Sequence, residues 1–289
     1  MIRADGDMTG KIVVITGANS GIGFEASLGL ARLGALVVMV SRDRQRGETA
    51  RQAVAAVAKT PPMLLIADLL SQVAIRSLAA DLHVQFDHID VLVNNAGGTF
   101  SKRELNADGL EATFATNHLA PFLLTSLTLD LLTAAPAGRV VAVASEVHAK
   151  NLDTDNLQGE KHYGFFPAYS ASKTANILFT YELARRLAGT SVTATAVSPG
   201  PSKTRFGDNL TGMGGAFSRT MKRMPFFHSA AAGAKVVVFA ASSPDLDGVT
   251  GRFYMKSKER KSKPVTHDQD LAVRLWNISA RLSNLELIL

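Results

Sequence analysis

The stretch KIVVITGANSGIG, Lys11–Gly23, combines a β-branched run with a glycine-rich turn. The run is typical of a buried parallel strand, and apolar residues at helical spacing follow the turn. Gly17 would let the chain turn sharply off the strand, Gly21 would let the backbone approach a pyrophosphate, and Gly23 would let helix and sheet pack closely. The N–H groups at the start of the helix would then hold the phosphates. The stretch therefore predicts a dinucleotide-binding turn with contacts from Gly17, Asn19, Ser20, Gly21, Ile22 and Gly23.

The rest of the chain continues the same alternation of strand and helix patterns. The predicted strands are Lys11–Thr16, Leu36–Val40, Met63–Ile66, Ile89–Val93, Arg139–Ala144, Ser191–Val197 and Arg252–Met255. The predicted helices are Ile22–Leu33, Arg44–Ala58, Leu110–Leu132, Ala168–Leu187 and a last one over Ala230–Ala241. This alternation favours a single α/β domain over residues 1–289, with a Rossmann-type doubly wound parallel sheet and helices on both faces. Such sheets bind ligands at the carboxyl ends of their strands.

The composition fits one large folded domain and excludes several kinds of site. Of the 289 residues, 46% are hydrophobic and 19% are charged, which is enough apolar material for a sizeable core. The chain has no cysteine, which excludes disulfides, thiolate metal sites and cysteine nucleophiles and fits a reducing cytosol. No metal-binding motif such as H-E-x-x-H occurs. His118 and His148 lack an acidic partner at ligand or triad spacing and are interpreted as structural, so the sequence predicts no metal site.

The charge and apolar patterns predict neither a nucleic-acid partner nor a membrane span. The net charge is +6, and basic residues cluster between positions 256 and 263. This cluster is typical of a solvated loop, with an anionic partner as the alternative, and it lacks the interleaved aromatic residues of a nucleic-acid site. The N-terminus lacks a signal-peptide pattern, and the apolar stretches 35–40 and 236–241 are too short to cross a bilayer. We therefore expect a cytoplasmic protein.

The end of the second strand indicates which dinucleotide is preferred. An NAD-binding protein places an acidic residue there against the ribose 2′-hydroxyl, but this chain has Ser41 followed by Arg42. A guanidinium at that point would bind a 2′-phosphate through paired, charge-assisted hydrogen bonds. Under the alternative, Arg42 pairs with Asp43 or faces water, and Asp43 serves NAD. We expect NADP(H) to be preferred over NAD(H).

Two further strand ends supply candidate cofactor contacts. Asp68 and Leu69 follow the third strand, where the Asp68 carboxylate could accept a hydrogen bond from the adenine amine or could instead cap the next helix. Small residues after the fourth strand would let the chain pass close to the adenosine ribose. The candidates there are Asn95, Ala96 and Gly97. Asn94, which precedes them, could instead tie adjacent strands together.

The segment YSASK, Tyr169–Lys173, lies near the start of a predicted helix. The spacing of four residues places Tyr169 and Lys173 on one helix face. A phenol with a pKa near ~10 exchanges protons poorly at neutral pH, and a neighbouring ammonium stabilises its phenolate. Lys173 could also bond a nicotinamide ribose. The alternative is a surface helix that carries the same spacing without chemistry.

Ser145 and Asn117 are the remaining candidates for chemistry. Ser145 ends the fifth strand, where its hydroxyl could bond a substrate oxygen or could instead form a cap or turn. Asn117 lies four residues before Pro121, which has no N–H to donate to the Asn117 carbonyl in a regular helix. That carbonyl would be free to hold a water that bridges to Lys173. Alternatively, the helix begins near Pro121 as its first turn.

These motifs occur in the order typical of the short-chain dehydrogenase/reductase family, which the chain closely resembles over nearly its whole length. The resemblance rests on Thr16–Gly23, Asn94–Gly97, Asn117, Ser145, Tyr169 with Lys173, and Ser198–Gly200. Within the family the chain resembles the retinol-dehydrogenase-like branch. The closer likeness rests on Gly17–Gly21, Asn117–Leu119, Leu275–Trp276 and the long separation between Ser145 and Tyr169.

The resemblance implies an NADPH-dependent oxidoreductase that interconverts a carbonyl and an alcohol, often as a homo-oligomer. Tyr169 would be the catalytic acid/base, and Ser145 would position the substrate oxygen. Lys173 would lower the tyrosine pKa and hold the ribose, and Asn117 would anchor a proton-relay water. The cofactor carboxamide and phosphates would be contacted by Pro199, Gly200 and Thr204.

Two alternatives to this function remain at the level of the sequence. One is a C=C reductase resembling protochlorophyllide reductase, against which the absence of cysteine counts. The other is a dinucleotide-sensing binding protein, against which the complete catalytic set counts.

Aromatic and methionine residues near the predicted catalytic centre favour a lipophilic small-molecule carbonyl or alcohol as substrate. Tyr163, Phe165 and Phe166 precede the catalytic tyrosine, and the segment 205–229, rich in Gly, Met and Phe, is interpreted as a substrate lid. Binding pockets are mostly apolar, and methionine adapts to irregular ligands. The alternative is that these side chains pack in the core or at a subunit interface.

Overall fold

The protein is described by a computed structural model over residues 6–203 and 228–286. Its strands are β1 Ile12–Thr16, β2 Leu36–Ser41, β3 Met63–Ile66, β4 Val91–Asn94, β5 Arg139–Val143, β6 Thr193–Ser198, β7 Ser202–Lys203, β8 His228–Ser229, β9 Arg252–Met255 and β10 Lys258–Glu259. Eight of these form one sheet in the order β10-β9-β6-β5-β4-β1-β2-β3, and β7 pairs with β8. Neighbours in the large sheet are parallel apart from the antiparallel pair β9–β10. The predicted doubly wound sheet is confirmed.

Helices cover both faces of this sheet. The α-helices are α1 Gly21–Arg32, α2 Arg44–Ala55, α3 Gln72–Gln85, α4 Ala112–Phe114, α5 Ala120–Leu127, α6 Leu129–Ala134, α7 Phe165–Arg186, α8 Ala230–Ser242 and α9 Gln269–Leu282. A π-helical turn, Ala115–Leu119, joins α4 to α5.

Successive side chains of β1 point into two separate apolar layers. Val13 packs with Leu30 of α1 in a layer that also contains α8. Val14 packs on the opposite face with Phe122 of α5 and Trp276 of α9. All five side chains are buried. Strands buried on both faces read as continuous apolar runs, which is why the sequence pattern located them.

Two helices, α3 and α9, lie where the sequence pattern led us to expect none. Because α9 follows Ala230–Ala241, the expectation that this stretch is the last helix is wrong. Each of the two helices begins at a capping side chain that is visible in the sequence. Ser71 caps α3 by accepting from the Ala74 N–H, and Asp268 caps α9 by accepting from the Leu271 N–H. Buried residues of α3 also recur at helical spacing.

The single helix expected over Leu110–Leu132 is also wrong, because this stretch is divided into α4, the π turn, α5 and α6. In the π turn the Ala120 N–H bonds the Ala115 carbonyl, five residues back. Pro121 lies in the first turn of α5 and has no N–H to close an α-helical bond to Asn117. The helix therefore widens locally at this point, as helices often do at functional sites.

The expected lid, residues 205–229, lies outside the described residues except for the two residues of β8. The parallel pairing of Ser202 with His228 brings the two ends of the segment together. Among the helices within 6–203 and 228–286, none combines the length and apolar character of a membrane span.

His118 provides a prediction about acid stability. It lies in the core, bonded to Asn176 at 3.3 Å and to Ser279 at 2.8 Å. Burial lowers the pKa of His118 from 6.5 to about 4. As pH falls from 6.5, the unfolded chain therefore takes up this proton first, and stability is lost down to about pH 4. We expect His118 to contribute about 2 kcal/mol of destabilisation on going from pH 7.5 to pH 4.5.

The measurement is urea unfolding of wild type and His118→Gln at both pH values. Gln can keep hydrogen bonds but does not titrate, so its stability should depend less on pH. His83→Gln is the control with the opposite sign, because a hydrogen bond to the Ala79 carbonyl raises the pKa of His83. A His118→Gln protein with the pH dependence of wild type would contradict this account.

Candidate active site

The predicted motifs meet at one edge of the sheet, where the parallel strands end. Gly17 follows β1, Asn95 follows β4, and Ser145 lies just beyond β5. Val143 of β5 pairs with Val197 of β6, so Ser145 and Pro199 lie at the same level on neighbouring strands. The edge therefore combines the glycine-rich turn with the side chains expected to carry chemistry.

The turn after β1 has the close contacts that a phosphate-binding turn needs. Gly17 and Gly21 have φ values of 65° and 58°, which favour glycine. A Cβ on Gly23 would lie 2.5 Å from the Gly17 carbonyl oxygen and 2.4 Å from Asn95 Nδ2. Ser20 precedes α1 without a side-chain capping bond, so the N–H groups of the first turn remain available to an anion. These residues fit a dinucleotide pyrophosphate.

Asn95, rather than Asn94, ties the end of β4 to the glycine-rich turn. Asn95 Nδ2 donates to the Thr16 carbonyl at 2.7 Å and to the Gly17 carbonyl at 3.3 Å. The Thr16 hydroxyl accepts from the Asn95 and Ala96 N–H groups at 2.9 and 3.0 Å. Asn94 instead donates to Thr125 Oγ1 at 2.9 Å, across to α5. Thr16 is therefore a shaping residue of the site that sequence reasoning did not single out.

The end of β2 places Arg42 on the surface and engages Asp43 elsewhere. Arg42 is exposed and makes no ion pair with any described residue. Ser41 is buried and donates to the Asp43 carbonyl at 3.0 Å. The Asp43 carboxylate accepts from the Arg46 N–H at 2.9 Å and lies 3.6 Å from Arg46 Nε. The alternative in which Asp43 pairs with Arg42 is therefore wrong, because the Asp43 carboxylate caps α2.

Arg46 is a second cation at this end that the sequence pattern did not reveal. It lines a cleft of about 470 Å³ together with Asn19 and Phe24. Asn19 belongs to the glycine-rich turn, so the cleft runs from that turn to the start of α2. In the sequence, Arg46 looks like an ordinary exposed arginine four residues after Arg42. Only the fold brings it to the same cleft as Asn19 of the turn.

Asp68 and Leu69 follow β3 at the same edge. The Asp68 carboxylate accepts from the Leu70 N–H at 3.1 Å, and Ser71 is the N-cap of α3. The interpretation of Asp68 as the cap of the next helix is therefore wrong. The contact with adenine remains a prediction.

Ser145, Tyr169 and Lys173 converge between the end of β5 and the second turn of α7. A hydrogen bond joins the side chains of Ser145 and Tyr169. Lys173 Nζ lies 5.7 Å from the centroid of the Tyr169 ring and donates to the Val143 carbonyl at 2.8 Å. The α7 helix begins at Phe165 rather than at Ala168 as expected.

Burial moves Tyr169 and Lys173 toward their neutral forms. It raises the pKa of the Tyr169 hydroxyl, although the bond with Ser145 acts in the opposite direction. It lowers the pKa of Lys173 to about 8. The direction at Tyr169 is opposite to the lowering expected from Lys173, because desolvation of the phenolate is the largest influence and outweighs the hydrogen bond with Ser145. Tyr169 is thus held as a phenol that can donate a proton.

The Asn117 side chain links the segment after β4 to α7. Its Nδ2 donates to the Gly98 carbonyl and to Ser172 Oγ, both at 2.9 Å, and its Oδ1 accepts from the Gly98 N–H at 2.8 Å. A Cβ on Gly97 would lie 3.0 Å from Asn117 Oδ1 and 3.6 Å from Lys173 Nζ. The space over Gly97 is therefore a cradle into which both side chains face. Gly98 and Ser172 are site residues that the motifs alone did not distinguish.

The remaining predicted contacts follow β6. Pro199 and Gly200 are partly exposed at the carboxyl edge, and Gly200 has a φ of 73°. Thr204 lies outside the described residues. Within the described part of the chain, no group of three His, Asp or Glu side chains could hold a metal ion.

Comparisons with known proteins place this site in a family context. Residues 11–213 match the family model described as short chain dehydrogenase. Mouse retinol dehydrogenase 14 is 38% identical over 289 residues, covering 95% of this chain and 86% of the relative. A candidate daunorubicin C-13 ketoreductase of Streptomyces sp. is 39% identical over 280 residues, covering 95% of this chain and 93% of the relative. The crystal structure of an uncharacterised protein from Mycobacterium paratuberculosis superposes with a TM-score of 0.80 at 31% identity, covering 100% of both chains.

Proposed function

The chain belongs to the short-chain dehydrogenase family, in its retinol-dehydrogenase-like branch, and we propose that it is an NADPH-dependent enzyme that interconverts a carbonyl and an alcohol on a lipophilic small molecule. The observation that carries the proposal is the convergence of Ser145, Tyr169 and Lys173 at the carboxyl edge of the sheet. This edge also presents the glycine-rich turn after β1.

Three candidate contacts among the described residues support the proposed cofactor. The first turn of α1 would hold the pyrophosphate, and Arg42 would hold a 2′-phosphate. Lys173 and Asn117 face the space over Gly97, where a nicotinamide ribose would fit. When bound, the nicotinamide supplies or accepts the hydride.

The side chains supply the proton and orient the reacting oxygen. In reduction, Tyr169 would donate its hydroxyl proton to the carbonyl oxygen, while the Ser145 hydroxyl would bond that oxygen as charge develops on it. Burial raises the pKa of Tyr169 and so keeps this proton on the phenol at neutral pH. In the opposite direction the same tyrosine would take up the alcohol proton, and oxidation should therefore be favoured by higher pH.

Apolar side chains beside the catalytic residues support a lipophilic substrate. Val147, whose N–H donates to Ser145 Oγ at 3.1 Å, is 39% exposed. Phe166, one helical turn before Tyr169, is 54% exposed. Large apolar side chains left exposed at a site are candidates for ligand contact. Two of the relatives are named for retinol and daunorubicin.

A series of straight-chain aldehydes and ketones tests this proposal through NADPH absorbance. Each methylene buried on the enzyme contributes about 0.8 kcal/mol, so kcat/KM should rise roughly fourfold per added carbon until the pocket is full. Val147→Ser and Phe166→Ser should flatten this rise. Val84→Ser is the matched control, because Val84 is an apolar side chain that is 86% exposed at the C-terminal end of α3. This variant should keep the rise in kcat/KM.

The same assay separates the alternatives. Higher efficiency with short sugars or hydroxy acids would contradict the lipophilic substrate. Turnover of activated C=C bonds without turnover of carbonyls would favour the C=C reductase. NADPH binding without any turnover would favour a dinucleotide-sensing protein.

A further inference from the structure

His148 links the segment that carries Ser145 to a distant part of the chain. Its ring Nδ1 lies 2.9 Å from the Ser145 carbonyl oxygen. Its ring Nε2 accepts from the Lys263 N–H at 3.0 Å. The Lys263 ammonium also bonds the His148 carbonyl oxygen. The ring is buried and packs edge-on against Phe253 of β9, with centroids 5.9 Å apart.

The segment 145–149 is otherwise held at its two ends. The Glu146 N–H donates to Ser198 Oγ at 2.9 Å, which anchors the segment to the end of β6. The Ala149 N–H donates to Thr174 Oγ1 at 2.8 Å, which anchors it to α7 one residue beyond Lys173. His148 lies between these anchors along the chain, and its ring holds the Ser145 carbonyl. The orientation of Ser145 Oγ toward Tyr169 therefore depends on the peptide that His148 holds.

The two ring contacts require one form of the imidazole. A carbonyl oxygen can only accept, so Nδ1 carries the proton, and Nε2 must lack one because the Lys263 N–H donates to it. We propose that His148, as a neutral Nδ1–H imidazole, is a positioning residue that fixes Ser145 for catalysis by tying its carbonyl to the backbone at Lys263. This inference rests on the role proposed above for Ser145.

The surroundings of the ring oppose its protonation. Lys263 from the C-terminal segment is the charged side chain that acts on it, Glu146 acts only through a backbone hydrogen bond, and β9 contributes the apolar Phe253. Burial, together with the Lys263 ammonium, lowers the pKa of His148 below its ordinary value. Below that pKa, a proton on Nε2 would displace the Lys263 N–H, so the ring that donates to the Ser145 carbonyl would lose its own tie to Lys263.

Two substitutions at His148 separate positioning from packing. Phe keeps a ring against Phe253 but removes both bonds. Asn places an amide N–H near the position of Nδ1 and can still donate to the Ser145 carbonyl. With the best carbonyl substrate of the series and NADPH, we expect kcat to fall about tenfold in His148→Phe and only about threefold in His148→Asn, which keeps the bond to Ser145 and loses the one to Lys263, with the NADPH Kd unchanged in both.

The pH profile and NMR provide readouts that a merely structural role would not move. In wild type, kcat should fall as the imidazole takes up a proton on the acid side, and this acid limb should move to lower pH in His148→Asn. Ring-nitrogen NMR shifts of the protein without cofactor should identify the Nδ1–H tautomer and its titration.

His83→Phe is the matched control. Its Nδ1 also bonds a carbonyl, that of Ala79 at 2.7 Å, and its Nε2 bonds Asp130 on another helix, but it lies on α3 away from the site. This variant should lose stability and keep kcat.

A folded His148→Phe protein with the kcat of wild type would overturn the inference, as would His148→Asn losing as much kcat as His148→Phe. Ser145→Ala separates this failure from failure of the proposed function. If Ser145→Ala retains full turnover, the role proposed for Ser145 is wrong. If Ser145→Ala is inactive while His148→Phe is fully active, only the inference about His148 fails.

Discussion

Tyr169→Phe should reduce kcat by about 10²- to 10⁴-fold while NADPH still binds with nearly the Kd of wild type. The substitution removes the hydroxyl that would donate the proton and the bond that this hydroxyl makes with Ser145. The ring remains between α7 and the end of β5, and Lys173 keeps its bond to the Val143 carbonyl at 2.8 Å. The cofactor cradle should therefore survive. Single-turnover kinetics and a fluorescence titration with NADPH measure the two quantities separately.

Tyr181→Phe is the matched control for this prediction. Tyr181 lies on the same helix, α7, and its hydroxyl bonds Ser262 Oγ at 2.8 Å, away from the carboxyl edge of β5. This control should lose about 1 kcal/mol of stability and no kcat. If Tyr169→Phe keeps a kcat similar to that of Tyr181→Phe, another group moves the proton.

Arg42→Ala should raise the Kd for NADPH by about 10- to 100-fold and change the Kd for NADH by no more than about twofold. A charge-assisted hydrogen bond contributes about 1.5–3 kcal/mol, and NADH has no 2′-phosphate to form one. Arg42 is exposed at the end of β2, and Asp43 is engaged with the first turn of α2. Ser41→Asp should shift the preference toward NADH, because a carboxylate there can accept from a ribose 2′-hydroxyl and repels a phosphate.

Arg274→Ala controls for the change in net charge. Arg274 is exposed on α9 and, among the described residues, makes no ion pair. This variant should bind both cofactors as wild type does when titrated at the same ionic strength. Equal weakening of NADPH and NADH by Arg42→Ala would contradict the phosphate assignment and would point to a general loss of the site. Arg46→Ala, measured alongside, reports how much the cation that lines the cleft contributes.

The strand–helix alternation and the sequence positions of the candidate catalytic motifs could be predicted from local patterns. Parallel strands buried on both faces are continuous apolar runs, so β1, β2 and β6 were found close to their observed bounds. The sharp turn predicted at Gly17 agrees with its positive φ of 65°. The helix α3 was missed although its buried residues recur at helical spacing, which is a local signal.

Hydrogen-bond partners that lie far apart in the sequence could not be predicted in this way. Nothing near Asn94 or Asn95 indicates which amide bonds Thr16, since the partner lies 79 residues away. The hydrogen bond from the Arg46 N–H to Asp43 could have been predicted, because the two residues are three positions apart. The cleft that connects Arg46 to Asn19 could not.

The sequence by itself determined the strand–helix alternation, the glycine-rich turn and the presence of Ser145, Tyr169 and Lys173, because each depends on neighbours within a few residues. Only the tertiary structure decided that burial raises the pKa of Tyr169, since desolvation depends on every element packed around the phenol. It also decided the partners of the His148 ring, a residue that the sequence indicated as structural. The ring meets the backbone of Lys263 across 115 residues, and a hydrogen bond requires only proximity in space, which the fold alone provides.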